Sequence, residues 1–453
     1  MSVTQFPAAV PVTEADLSPE FSDDALALEF TERHKGELRF VAKWGSWLYW
    51  DGTRWKFEDT LRAFDLARAV AREFANACND SDDKPKIASA KTVAAIEWLA
   101  RADRRHAAIV EQWDADSWVL NTPGGIVDLR SGSTSLHDPE RYMTKIAAVA
   151  PGGECPLWQK FLAEITGSND ELQSFLQRIA GYALTGSIRE HALFFFYGTG
   201  GNGKGVFLNT LTGILADYGA VAPMETFIVT QGERHPTDLA GLRGARLVTA
   251  QETERGLRWA ESKIKALTGG DPITARFMRQ DFFTYSPAFK LVMAGNHKPS
   301  LSGVDAAIRR RFHLVPFTLT IANPDKELPD KLQTEWPGIL AWMIEGCLAW
   351  QRVGLNPPAI VRNATEVYLG EEDTVAQWVE ECCLIGKGQW GIGGQLWKSW
   401  KAWAEANNER PSTRKAFAEA MATHGYAAAK SQGVRGYAGI DLRPDERSRA
   451  DLD

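Results

Sequence analysis

The chain has little cysteine: five residues in 453, at Cys78, Cys155, Cys347, Cys382 and Cys383. None forms a C-x-x-C pair and two are adjacent, which argues against a zinc ribbon and fits reduced cytosolic thiols. Long apolar runs are missing as well. No stretch approaches the roughly 18 residues of a membrane span. The opening MSVTQFPAAV lacks the basic start and apolar core of a signal peptide. A soluble, cytoplasmic protein with no membrane partner is therefore expected. Basic excess is absent too: the formal charge is −7 and the pI about 5.8. That balance gives no support to nucleic-acid binding by the whole surface, but a channel needs only a local basic lining. There are no internal repeats.

What is present is ordinary globular material, 44% hydrophobic and 24% charged. The length suggests two to four domains, enough to bury several cores without disulfide or metal staples. Residues 1–24, rich in Pro, Ser, Asp and Glu, read as a flexible lead-in. Residues 25–185 read as a mainly helical domain carrying a small aromatic sheet. The sheet is signalled by Arg39, Phe40, Val41, Trp44, Trp47, Leu48, Tyr49 and Trp50, then Asp51-Gly52 as a hairpin turn, then Trp55 and Phe57. Tryptophans can stack bases, but an aromatic core is the preferred use. Helical spacing dominates 61–115, TPGGIVDL looks like a short strand pair, and 156–185 gives two amphipathic helices with an N-cap region at Ser168-Asn169-Asp170.

From 186 to 322 the texture becomes α/β. The runs ALFFFYG (192–198), ARLVTA (245–250), FKLVMAGN (289–296) and FHLVPF (312–317) suit strands buried on both faces of a parallel sheet. A helical connector is expected over 323–360. Helical patterns at about 364–384, 394–407 and 412–424, followed by the alternating SQGVRGYAGIDL, predict a winged-helix-like module over 361–441. Trp397, Trp400 and Trp403 mark a buried helix face. The polar residues 442–453 are expected to form a frayed tail.

The most informative segment is FFFYGTGGNGKGVFLNTL (194–211). A strand, the loop Gly198-Thr199-Gly200-Gly201-Asn202-Gly203, and a helix opening at Lys204-Gly205-Val206 make the strand–GxxxxGK–helix order of a phosphate-binding loop. Glycines let the backbone turn its N–H groups onto the β- and γ-phosphates, the helix adds its positive end, and Lys204 adds a charge. The pattern normally continues with Ser or Thr as a Mg²⁺ ligand. Gly205 offers no hydroxyl, and Thr210 lies too far along the helix.

An ATPase also needs a carboxylate beside the γ-phosphate. The strand of ARLVTAQETE delivers Gln251 and Glu252. Glu252 is the candidate for water activation and for Mg²⁺, with Glu254 second and an amide, Gln251, where an acid usually stands. The third strand ends at Asn296, which suits either a γ-phosphate sensor or a turn cap. Arg309-Arg310-Arg311 follows. Arg310, then Arg311, are the candidates for a finger completing a neighbour's site, against the plain reading of a solvated basic run. Between these strands, ITARFMR and FFTYS alternate around Gln280-Asp281 as a hairpin. Over 255–311 eleven basic residues face four acidic ones, and Lys263, Lys265, Arg276 and Arg279 are the candidate DNA contacts. Phe282, Phe283 and Tyr285 are assigned to packing before stacking.

Taken together, GTGGNGKG, RLVTAQETE, LTGGDPITARFMRQDFF, KLVMAGNHKP and IRRRFHLVPF resemble, in order and spacing, the superfamily 3 helicase domain of phage and plasmid primase–helicases, a group that includes the poxvirus primase-helicase. The resemblance spans roughly 190–320. It implies an α/β fold with an AAA+-like P-loop motor, a homohexameric ring, ATP and Mg²⁺ as cofactors, and translocation along single-stranded DNA. It gives Lys204 the phosphate role, Glu252 the acid, Asn296 the sensor and Arg310 or Arg311 the finger. It also implies a hairpin in the channel. Many members carry an N-terminal primase domain; with only about 190 residues before the loop, and no carboxylate triad or zinc module among them, a separate primase is expected as a partner. Two readings compete with a replicative helicase: an ATP-binding scaffold or loader on DNA with weak hydrolysis, and a motor for RNA or for packaging.

Overall fold

The computed structural model describes residues 20–230, 237–251, 256–278, 281–301, 303–407, 411, 413–431 and 433–450, without the side chains of 448–450. The chain divides into two compact units. One runs through Asp128 and includes Ser133–Ala147; the other holds Leu129–Gly132 and everything from Ala148.

In the first unit the helices Asp23–His34, Arg62–Ala77 and Ala90–Ala102 share a core with the antiparallel strands Leu38–Val41 and Ser46–Trp50. Strand Trp55–Phe57 pairs with Ser46–Trp50 in turn. The Asp51-Gly52 turn forms as its residues dictate: Gly52 takes φ 97°, and the Asp51 carboxylate accepts the N–H groups of Thr53 and Arg54 at 2.8 Å. The tryptophans pack. Trp55 is wholly buried, and Trp47, also buried, donates its indole N–H to Glu97 at 2.6 Å. TPGGIVDL does make a strand pair, Val119–Thr122 with Gly125–Asp128, extended by Thr134–Ser135.

The second unit is built on a five-stranded parallel sheet ordered Phe312–Pro316, Leu193–Tyr197, Lys290–Gly295, Leu247–Gln251, Gly219–Val221. The four apolar runs supply four of these strands. The fifth is a three-residue edge strand, partly exposed, too short and too mixed to show as a run.

The helices Pro156–Thr166 and Asp170–Ala183 belong to this second unit, so the break falls near 147 rather than at 185. Asn169 does cap the latter helix, accepting the Leu172 N–H. Helix Asp170–Ala183 meets Trp336–Val353 backbone to backbone. A Cβ on Gly181 would lie 2.0 Å from the Cys347 nitrogen, and one on Gly346 2.1 Å from the Gln177 carbonyl. The end of that helix meets two cations at the feet of adjacent strands. Arg246 donates to the Leu184 carbonyl at 2.6 Å and Lys290 to the Thr185 carbonyl, which matches the negative end of the helix dipole.

Beyond it, Thr374–Cys382, Gly393–Ala406 and Arg414–Thr423 are helices, and Val434–Leu442 runs between Cys383–Ile392 and Ala428–Ser431 in an antiparallel sheet. The expected helix at 364–384 is two helices, Ala359–Glu371 and Thr374–Cys382. They are split where Asp373 accepts the Ala376 N–H as an N-cap. Strand Cys383–Ile392 went unread because its interior is polar and glycine-containing. Trp400 and Phe417 are buried in this core, with Trp397 and Trp403 against it. The expected frayed tail includes a helix, Pro444–Ala450, with Asp445 and Glu446 in its first turn. Among the described residues no helix is long and apolar enough to cross a membrane.

Candidate functional site

The carboxyl ends of three adjacent strands converge. Tyr197 pairs with Gly295 and Ala294 with Gln251, so the glycine loop, Gln251 and Asn296 come together at one edge of the sheet. Gly200, Gly201 and Gly203 adopt φ of 97°, 62° and 80°, the left-handed region where a side chain is strained. Gly203 is further fixed by space: a Cβ there would lie 2.5 Å from Ile165. The helix Lys204–Leu215 starts directly after it, and its first N–H groups have no acceptor within the helix.

Asn202, 3% exposed, ties the loop together. Its amide donates to the Phe317 carbonyl at 2.6 Å, and its oxygen accepts from Lys204 at 2.9 Å. Ile321 N–H donates to the Gly201 carbonyl at 2.9 Å. Phe317 closes the fifth motif, whereas Ile321 lies beyond all five, and only its position after a strand pairing with Leu193–Tyr197 reveals it.

Lys204 is 7% exposed. Besides Asn202, its Nζ donates to the Gly198 carbonyl at 2.7 Å and the Asn296 side-chain oxygen at 3.4 Å. Burial lowers its pKa from 10.5 to about 8. All three acceptors are neutral, and among the described residues no carboxylate pairs with it. A desolvated cation without a counter-charge is costly unless an anion supplies one. The cavity in front of it, about 300 Å³, is lined by residues 200–206, Gln251, Ala294, Gly295 and Asn296. Gly198 stands just behind, lending its carbonyl to Lys204; Thr199 is exposed.

Other predicted residues fare differently. Glu252, Glu254, Arg255, Arg279 and Gln280 lie outside the described residues. Gln251 reaches the cavity, its amide nitrogen donating to Asn209 at 2.9 Å. Thr210 is buried and does not line the cavity. Arg310 is exposed, with no ion pair among the described residues. Arg311 is 6% exposed, hydrogen-bonded to Thr268 Oγ1 at 3.1 Å and the Ala307 carbonyl at 2.9 Å. A side chain so engaged inside its own subunit does not fit the finger expected of it. Arg309 pairs with Glu366 at 2.8 Å.

The hairpin forms from Ile273–Ala275 and Phe283–Tyr285. Its loop exposes Phe277, Met278 and Phe282, with Arg276 4.6 Å from the Phe282 ring. Phe283 and Tyr285 pack, Tyr285 donating to the Leu239 carbonyl at 2.6 Å. Lys263 is half-buried and has interaction partners of its own, and Lys265 pairs with Asp305 at 2.5 Å. The local basic excess is smaller than the sequence count. Lys290 and Arg311 are buried, and Arg309 and Lys298 pair with Glu366 and Glu371 from the helix Ala359–Glu371.

Comparison with known proteins fits this geometry. A family model described as D5 N terminal like matches residues 27–167, and one for a family of unknown function (DUF5906) matches 196–311. The helicase-named protein 022R of Frog virus 3 (isolate Goorha) is 24% identical over 314 residues, 64% of this chain and 31% of the relative. The helicase-named L207/L206 of Acanthamoeba polyphaga mimivirus is 21% identical over 261 residues, 52% of this chain and 27% of the relative. The chain thus spans about a third of the length of these relatives. Among solved structures, the apo A form of the NrS-1 C-terminal region covers 92% of this chain and 100% of its own, with a TM-score of 0.50 at 10% identity, a likeness of fold. With the five linked motifs and the parallel-sheet core, these matches support a likeness to the phage and viral superfamily 3 primase–helicase type.

Proposed function

We propose that this chain is an ATP-dependent DNA helicase of phage or plasmid replication, working on single-stranded DNA as a homohexameric ring. The single observation that carries the reading is Lys204, a desolvated cation facing a glycine-built cavity with only neutral acceptors around it. The terminal phosphates of ATP supply the missing negative charge. On this reading the loop is a P-loop in an AAA+-like motor at 186–322, Asn296 senses the γ-phosphate, and the exposed Arg310 serves the neighbouring subunit's site. The hairpin at 273–285 offers Arg276 and Phe282 to the strand in the channel, and the module over 361–441 is winged-helix-like.

Magnesium belongs to this chemistry as the counter-ion of the phosphates, where it neutralises charge that builds up during transfer. The described residues contain no cluster of carboxylates and imidazoles for a cage of their own, and Glu252 is the proposed acid. The chain's own contribution is to orient the phosphates through backbone N–H groups and Lys204, and to hold Lys204 through Asn202.

The test is ATP turnover with and without single-stranded DNA, on wild type and Lys204→Ala. DNA-stimulated turnover lost in the variant is expected. Stimulation by RNA alone would replace DNA as the track. A second reading, an ATP-binding loader or scaffold with weak hydrolysis, is favoured by Gly205, which has no hydroxyl where a metal ligand usually stands. Nucleotide binding without turnover selects it.

A further inference from the structure

Gly205 and Asn209 stand one turn apart, on the same face of the helix Lys204–Leu215. Across from that face lies Gln251, the last residue of the strand Leu247–Gln251. Its amide is oriented. The nitrogen donates to Asn209 Oδ1 at 2.9 Å, which leaves Oε1 turned toward Gly205. A Cβ built on Gly205 would lie 3.4 Å from that oxygen. The Gln251 oxygen therefore occupies the surroundings of the position from which a serine or threonine hydroxyl would project. Both residues line the cavity in front of Lys204.

The two departures seen in the sequence, glycine for a hydroxyl and an amide for an acid, thus sit in contact. We propose that they compensate: the side-chain oxygen of Gln251 takes the place of the absent hydroxyl as a protein ligand to the divalent cation that accompanies the nucleotide, with Asn209 as its positioning residue. A neutral carbonyl oxygen suits a hard cation such as Mg²⁺. A glycine at 205 leaves room for the longer glutamine to reach in from the neighbouring strand. This inference rests on the reading of the loop as a nucleotide site.

The experiment measures Mg²⁺ affinity rather than turnover. Mg²⁺ is titrated into the full chain saturated with ATPγS, and ATPγS affinity is measured separately in EDTA. Gln251→Ala is expected to weaken Mg²⁺ about 10-fold, the scale seen when a metal site loses a supporting group, with metal-free nucleotide affinity unchanged. Asn209→Ala weakens it less, because Oε1 remains but is no longer held. Gly205→Ser added to Gln251→Ala restores Mg²⁺ affinity, since the serine stands in a helical position beside the space left by the glutamine. An unchanged Mg²⁺ affinity in Gln251→Ala, an equal loss of nucleotide affinity in EDTA, or no recovery with Gly205→Ser overturns the proposal. Wild-type protein that does not bind ATPγS even with Mg²⁺ overturns the nucleotide-site reading itself. Wild type that binds in a Mg²⁺-dependent way while Gln251→Ala behaves identically overturns only the role of Gln251.

Discussion

The ammonium of Lys204 lies 3.4 Å from the side-chain oxygen of Asn296, ninety-two residues later at the end of the adjacent strand. Two motifs that are separate lines of text are thus one polar cluster. A phosphate that enters the cavity and draws Lys204 forward would remove the hydrogen bond that Lys204 donates to Asn296, so on the proposed reading the sensor and the loop are coupled.

Lys204→Met is expected to reduce affinity for a fluorescent ATP analogue at least 100-fold. It should also raise the melting temperature of the nucleotide-free protein, because it removes a buried charge that no carboxylate offsets among the described residues. A gain on the order of 1 kcal/mol, ~2 °C for a unit of this size, is anticipated. A fall in melting temperature would contradict the reading of Lys204 as strained in the apo state.

The same residue sets a pH dependence. Its pKa in the folded chain is lowered to about 8 from 10.5, so between these values the unfolded chain binds more protons than the folded one. Stability of the nucleotide-free protein should therefore gain from Lys204 as pH rises through that window. Nucleotide affinity should fall over the same range as the charge is lost. Urea unfolding and analogue titrations at pH 7 to 10, each compared with Lys204→Met, isolate the contribution.

Arg310 and Arg311 should separate cleanly. Arg310→Ala leaves thermal stability unchanged and lowers ATP turnover by on the order of 10³. When mixed with Lys204→Ala protein, it recovers partial activity if the arginine acts across a subunit boundary. Arg311→Ala leaves Thr268 Oγ1 and the Ala307 carbonyl without their donor and should cost about 1–3 kcal/mol of stability. The reverse pattern would return Arg311 to the finger role.

Tyr368 links helix Ala359–Glu371 to the loop that follows Asn296. Its hydroxyl accepts from the Trp259 indole at 3.0 Å and donates to the Pro299 carbonyl. Tyr368→Phe keeps the ring in the core while deleting both bonds. A stability loss of about 1–2 kcal/mol is expected, with a lower kcat and unchanged nucleotide affinity. Equal changes in both constants would show that the loop does not act through Asn296.

Two glycines give a paired test of packing. Gly181→Ala forces a methyl to 2.0 Å from the Cys347 backbone and should cost about 2 kcal/mol or more as the helices separate. Gly370→Ala, in a helix with nothing within 4 Å of its added Cβ, should instead stabilise by about 0.5–1 kcal/mol. Calorimetry on both variants distinguishes a fixed helix contact from a tolerant one.

Much of this molecule is written in local pattern. The apolar runs at 192–198, 245–250, 289–296 and 312–317 announce a parallel sheet, because strands buried on both faces have no polar side to show. The glycine loop before Lys204 points to an anion site, because glycine adopts without strain the left-handed backbone angles found at Gly200, Gly201 and Gly203. The turn at Asp51-Gly52 is equally self-specified. Order, strand type and the loop chemistry follow from such short-range constraints.

What the text did not reveal depends on partners distant in sequence. The helix Asp170–Ala183 packs into the sheet unit because Gly181 and Gly346 admit backbone contact with residues more than 150 positions away. Lys290 and Arg311 left the basic surface because their neighbours in space are carbonyls and a threonine, not solvent. The facing of Gln251 and Gly205 arises only when a strand end is laid beside a helix start. Composition and periodicity report what a residue prefers; burial, charge compensation and the space left by a missing side chain are set by whatever the fold brings next to it.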